Sequence, residues 1–98
     1  LSMEEAIVAA RQVGLNILAS LQSALGDLDR IERVYKLLGM VNAEPGFTQH
    51  PMVINGCSQL FLDLWGNDCG VGIRSAYGVS GLPLHASVEI EGAFLLKQ

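Results

Sequence analysis

The chain has 98 residues, half of them apolar and 16% charged, with ten acidic and six basic side chains for a net charge of −4. That length makes one domain, residues 1–98, and that apolar content makes a core-forming globular chain rather than a disordered one. The six basic residues are scattered and form no stripe, so the clustered positive charge of a nucleic-acid surface is missing.

Taken in chain order, the first element opens on a cap. Ser2-Met3-Glu4-Glu5 fits the S-x-x-E capping box, in which serine and glutamate satisfy each other's orphan backbone donors. A chain that opens directly on a cap reads as the remainder of a longer one, or as a tag scar before Met3. From Met3 to Leu25 the residues Ile7, Ala10, Ile17, Leu18, Leu21 and Leu25 recur at helical steps, which predicts a long amphipathic helix. Gly26 closes it as a left-handed C-cap. Asp29 to Asn42 reads as a strand, with Ile31, Arg33, Tyr35, Leu37, Gly39 and Val41 on one face. Its late half is apolar on both faces, as in a central strand that becomes fully buried. Gly39 within it marks a close backbone approach or a bulge.

Asn42 to His50, with Pro45 and Gly46, reads as a loop. Pro51 suits the first turn of a second helix, whose apolar face is Val53, Ile54, Cys57, Leu60, Phe61, Leu64 and Trp65. Gly66 to Gly72 reads as a turn-rich loop. Ile73–Val79 and Ser87–Leu96 read as two further strands joined through Gly81-Leu82-Pro83. Helix, strand, helix, strand, strand predicts an α+β layer with the helices on one face of the sheet. Three strands under two helices is thin, and points to missing strands or to a partner subunit.

Cys57 and Cys69 are too few for a disulfide scaffold, no C-x-x-C occurs, and His50 and His85 show no metal-ligand spacing. No apolar run approaches the roughly 20 residues of a membrane span, and no signal-peptide pattern stands at the start. The default compartment is the cytoplasm. Neither a metal nor an organic cofactor is expected.

The chemistry concentrates late in the chain. Arg74 heads one strand-like run, and Glu89 and Glu91 sit at i and i+2 in the next, so the two carboxylates share a face. If the two runs lie near each other, Arg74 and one glutamate meet in a single pocket. Such a pair suits a small anion: guanidinium forks a carboxylate, and a nearby carboxylate orients a water. Read alone, Arg74 is more readily a solvated strand-end arginine. Glu89 is equally well an exposed strand residue or half of an interface ion pair, and Asn55 equally well a helix-surface amide. Tyr77, Phe61 and Trp65 read as packing residues, and Cys57 as a small buried apolar residue.

Several segments in combination resemble the RidA/YjgF family, the reactive intermediate deaminases of chorismate-mutase-like fold. They are Leu1-Ser2-Met3-Glu4-Glu5-Ala6, Leu25 to Arg30, Leu38-Gly39-Met40-Val41-Asn42, Pro51 to Gly56, Arg74-Ser75-Ala76, and Leu82-Pro83 followed by Val88-Glu89-Ile90-Glu91. The resemblance implies a homotrimer whose sheets line a central barrel, with three clefts between subunits. It also implies that the chain corresponds to the C-terminal two-thirds of a member, the family's first strands preceding the first helix. By the same match, Arg74 holds the carboxylate of a substrate, Glu89 helps position the attacking water, and Asn55 lies at the cleft edge. Ala76 stands where the best-known deaminases carry cysteine, so that only its backbone serves the cleft. The implied activity is hydrolysis of 2-imino acids to 2-oxo acids and ammonia, without a cofactor. A trimer that binds a small carboxylate or metabolite without turnover is the alternative. The endoribonuclease activity named for parts of the family is disfavoured by the acidic composition.

Overall fold

The computed structural model describes residues 2–98; Leu1, the first of the residues that carry the resemblance, lies outside them. Helix α1 (Met3–Leu25) starts on the expected capping box. The Glu5 amide donates to Ser2 Oγ at 3.1 Å, and the Ser2 amide donates to Glu5 Oε1 at 2.9 Å. Gly26 ends the helix at φ 84°, and its N–H reaches the Gln22 carbonyl at 2.8 Å. Residues 28–30 make a short 3-10 turn, so the strand read from Asp29 begins two residues later, at Ile31.

Three strands form one sheet in the order β2-β1-β3, where β1 is Ile31–Asn42, β2 is Ile73–Val79 and β3 is Val88–Leu96. Strand β2 runs parallel to β1 and β3 antiparallel to it. A parallel neighbour needs a crossover connection, and helix α2 (His50–Cys69) supplies it. Pro51 sits in the first turn of α2, where a missing N–H costs nothing. The helix does not stop at Trp65. Gly66 leaves helical geometry at φ 85°, ψ 179°, and a further turn runs on to Cys69 before Gly70 caps it, so the loop expected from Gly66 is shorter.

Both helices lie on one face of the sheet and against each other. Between them and the strands sits a core of Ala10, Val34, Leu37, Val41, Val53, Ile54, Cys57, Phe61, Val88 and Ile90. The early half of β1 alternates imperfectly, as its sequence suggests. Ile31 and Val34 are both buried, three residues apart, because the register with β3 slips between Ile31 and Arg33 and again between Val34 and Lys36. Each slip inserts a residue and turns the following side chains to the other face. From Leu37 on, alternation is regular. Leu64, expected on the apolar face of α2, is half-exposed.

Two close approaches fix the layers. A Cβ on Gly39 would stand 2.5 Å from Ile54 Cγ1, and one on Gly56 would fall on the Ile7 carbonyl oxygen. Among the described residues nothing forms a second layer on the sheet face away from the helices. Side by side across it run Tyr77, Met40 and Glu89, then Ser75, Leu38 and Glu91. Before β3 the chain makes a turn in which Leu84 and His85 both take left-handed φ, 57° and 56°, and Leu84 is 98% exposed.

Candidate functional site

Arg74 stands opposite Leu37 in the register of β2 against β1. Leu37 is a core residue under the helices, so the arginine projects to the helix face of the sheet. Its guanidinium reaches α2: Nη1 donates to Asn55 Oδ1 at 2.7 Å and to Ser58 Oγ at 3.1 Å. Around it lies a groove of about 410 Å3, with Leu37, Gln59, Leu62 and Val71 among its walls. The walls are thus aliphatic, with a few amide and hydroxyl groups and one full positive charge.

Among the described residues no carboxylate forms an ion pair with Arg74, and the single ion pair is Arg33 with Asp68, at 3.3 Å on the far end of α2. Arg74 therefore meets solvent with its charge uncancelled, which is the condition for taking an external anion. Beneath it lies Cys57, fully buried, where burial pushes the thiol up from 9.0 to about 11 against a smaller lowering by the Arg74 charge. A thiol so placed is protonated at neutral pH and is no nucleophile.

The expected meeting of Arg74 with a glutamate does not occur within one chain. Strand β1 lies between β2 and β3, so the two sites are two strand spacings apart, roughly 10 Å. They also face opposite ways. Val88 and Ile90 are buried under the helices, and Glu89 and Glu91 alternate with them onto the bare face of the sheet. Ala76 pairs with Gly39 and packs its methyl against the core; it is not among the groove residues. Of the four residues singled out from sequence, Arg74 and Asn55 come together, and Ala76 and Glu89 stand apart from them. Ser58 was not singled out. The signal available was its spacing, since i and i+3 on a helix are neighbours and Asn55 was already a candidate.

A larger concavity of about 950 Å3 opens at the other end of the molecule. There the first turn of α1 meets the end of β1, Phe47 and His85. Its walls carry Glu44 and neither an arginine nor a lysine, so it offers an anion nothing comparable to Arg74. Among the described residues no group of three or more His, Cys, Asp or Glu side chains is placed to hold a metal ion. No described helix is long and apolar enough to cross a membrane.

The chain is similar to known proteins. Protein TCP17 of Trypanosoma cruzi is 44% identical over 91 residues, which is 93% of this chain and 57% of that protein. The crystal structure of Atu1372 from Agrobacterium tumefaciens, described as of unknown function, superposes with a TM-score of 0.95 at 39% identity, covering 100% of this chain and 62% of that one. A protein from Shewanella oneidensis described as a "putative endoribonuclease" superposes with a TM-score of 0.85 at 30% identity, covering 92% of this chain and 59% of that one. The chain thus spans about three-fifths of the length of these relatives. Residues 1–91 match the model of a family described as "YjgF/chorismate_mutase-like, putative endoribonuclease". With nearly the whole chain covered by that model, and with two helices on one face of a mixed sheet in close superposition on such a relative, the chain belongs to the YjgF/chorismate-mutase-like family.

Proposed function

We propose that the protein is an imine deaminase that hydrolyses small 2-imino acids to 2-oxo acids and ammonia, at clefts formed between copies of the chain. The observation that carries this reading is the guanidinium of Arg74, held by amide and hydroxyl oxygens in a groove with aliphatic walls and, among the described residues, ion-paired with no carboxylate. A 2-imino acid supplies what the groove lacks, a planar carboxylate next to a short side chain.

In the reaction Arg74 clamps the carboxylate and fixes the imine carbon beside it. A water attacks that carbon, the C=N electrons move to nitrogen, and a tetrahedral carbinolamine forms. Proton transfer to the nitrogen lets ammonia leave as the C=O bond forms, so one water is consumed for each ammonia released. Glu89 is the group that takes the water's proton. Within one chain it lies on the other face of the sheet, so the Glu89 that serves a given Arg74 comes from a neighbouring copy. In a homotrimer with clefts between subunits, β2 of one copy and β3 of the next, both edge strands of their sheets, are the elements that would meet there. Half-exposed Tyr77 and Leu95, with Met40 beside Tyr77, are apolar groups an assembly would cover. Ala76 contributes backbone only, in keeping with the turn of its methyl toward the core.

The test is deamination of a 2-imino acid generated in situ. The parent protein should release ammonia above the uncatalysed rate, and Arg74→Ala should lower that by at least about a hundredfold, as expected for loss of a charge-assisted fork. Activity unchanged in Arg74→Ala would refute the assignment.

The second reading is a carboxylate-binding protein without turnover. It is favoured by one observation, the distance and opposite facing of Arg74 and Glu89 within a single chain. Thermal stabilisation by 2-oxo acids, with no ammonia released by the assembled protein, would establish it in place of the first.

A further inference from the structure

Arg74 spends its donors unevenly. Both hydrogens of Nη1 go to α2, one to Asn55 Oδ1 at 2.7 Å and one to Ser58 Oγ at 3.1 Å. A guanidinium carries five N–H donors in one plane, so Nε and Nη2 keep three between them. We infer that Asn55 and Ser58 are positioning residues that clamp Nη1 so that the Nε–Nη2 edge is the one presented to a ligand carboxylate; this rests on the carboxylate-binding reading of the groove. On that edge two N–H bonds run parallel, the geometry that matches both oxygens of a carboxylate.

The clamp is mounted on a rigid element. Asn55 and Ser58 lie one helical turn apart on α2. Between them Gly56 abuts the backbone of α1 and Cys57 is buried in the core. An exposed arginine without such holders loses its rotamer freedom only when the ligand arrives. Here that loss is already met in the free protein, and the site is preorganised. The choice of holders matters as much as their position. An amide and a hydroxyl fix the guanidinium without cancelling its charge. An aspartate at position 55 would hold it as firmly and would neutralise it.

That difference separates positioning for a ligand from a merely structural role. The experiment titrates 2-oxobutanoate and its neutral amide against the parent protein, Arg74→Ala, Asn55→Ala, Asn55→Asp, Ser58→Ala and Ser58→Thr, with melting temperatures measured alongside. Ser58→Ala and Asn55→Ala should each weaken 2-oxobutanoate about tenfold, the worth of one hydrogen bond to a charged group. Ser58→Thr, which keeps the hydroxyl, should restore binding. Asn55→Asp should keep the melting temperature and still bind the acid more weakly than Asn55→Ala does. The amide should be indifferent to all four changes at Asn55 and Ser58. Should Asn55→Ala fail to fold, Ser58→Ala and Asn55→Asp decide the matter. Asn55→Asp binding the acid as tightly as the parent, or acid and amide losing affinity together, would overturn the clamp. Binding that needs Arg74 but ignores both holders would overturn the clamp alone. A parent that binds no 2-oxobutanoate, or an Arg74→Ala that binds it equally, would sink the reading of the groove and the clamp with it.

Discussion

Arg74 and Cys57 are near neighbours with opposite fates: one is kept charged at the surface, the other neutral beneath it. For Cys57 the raised folded-state value has a definite sign. Below pH 9.0 the thiol is protonated in both folded and unfolded chains and its burial stabilises fully. Between 9.0 and about 11 the unfolded chain ionises while the folded one does not, so stability falls as pH rises through that window. Urea unfolding of the parent and of Cys57→Ala from pH 8 to 11 checks this; the parent should lose stability more steeply. At neutral pH a thiol reagent should modify Cys69, which is only partly buried, well before Cys57. Legibility at this scale followed distance along the chain. Arg74 stood out through its sequence motif and Asn55 through its own. Ser58 did not, because its role is set by an arginine sixteen residues away across a strand–helix contact. The separation of Glu89 from Arg74 depended on which strand lies between, and no local pattern encodes that.

The ends of α1 were the most readable features, since its caps are chemistry among four or five consecutive residues. Ser2 and Glu5 cap each other as the S-x-x-E pattern requires. Glu5 is held below the ordinary carboxyl value, chiefly by the Ser2 backbone N–H and next by the Ser2 side chain. A depressed folded-state value stabilises above pH 4.5 and is lost as the pH falls below it. Ser2→Ala should therefore reduce helicity at pH 7 more than at pH 3, read by circular dichroism. Strand β1 was less readable. Its two register slips answer the partner strand, and a one-residue slip moves every later side chain to the other face. Gly39 within it did mark a close approach, filled by Ile54. Helix α2 ran past Gly66 because a glycine at positive φ can bend a helix without ending it. The helix pair hinges on Gly56. A methyl there meets the Ile7 carbonyl, which belongs to backbone and cannot rotate away. Gly56→Ala should cost about 3 kcal/mol by overpacking, seen as a drop in thermal midpoint. Because Asn55 is its neighbour, the same change should also weaken carboxylate binding.

For the molecule as a whole, the two-layer α+β architecture was legible from element order. The strand order β2-β1-β3 was not, because parallel pairing across a helix is a long-range choice. That order separates Arg74 from Glu89 and makes the proposed activity a property of an assembly. Tyr77, 43% exposed on the bare sheet face beside Met40, is the place to test it. Sedimentation should find the parent as a trimer and Tyr77→Lys as a smaller species that has lost deamination but kept its fold; a monomeric parent with full activity would refute the dependence. The turn before β3 bears on a different property, the fate of the chain once it is cut. Leu84 is almost fully exposed and, with His85, sits in a backbone conformation that L residues rarely hold, outside any ladder. A protease that cleaves after large apolar residues should nick the chain there first. The piece that follows still carries β3, paired with β1 from Val88 to Leu96 and tucked into the core by Val88 and Ile90. The nicked protein should therefore migrate as two fragments under denaturing conditions and as one particle without them, a native split point at which the two pieces could be made separately and left to find each other.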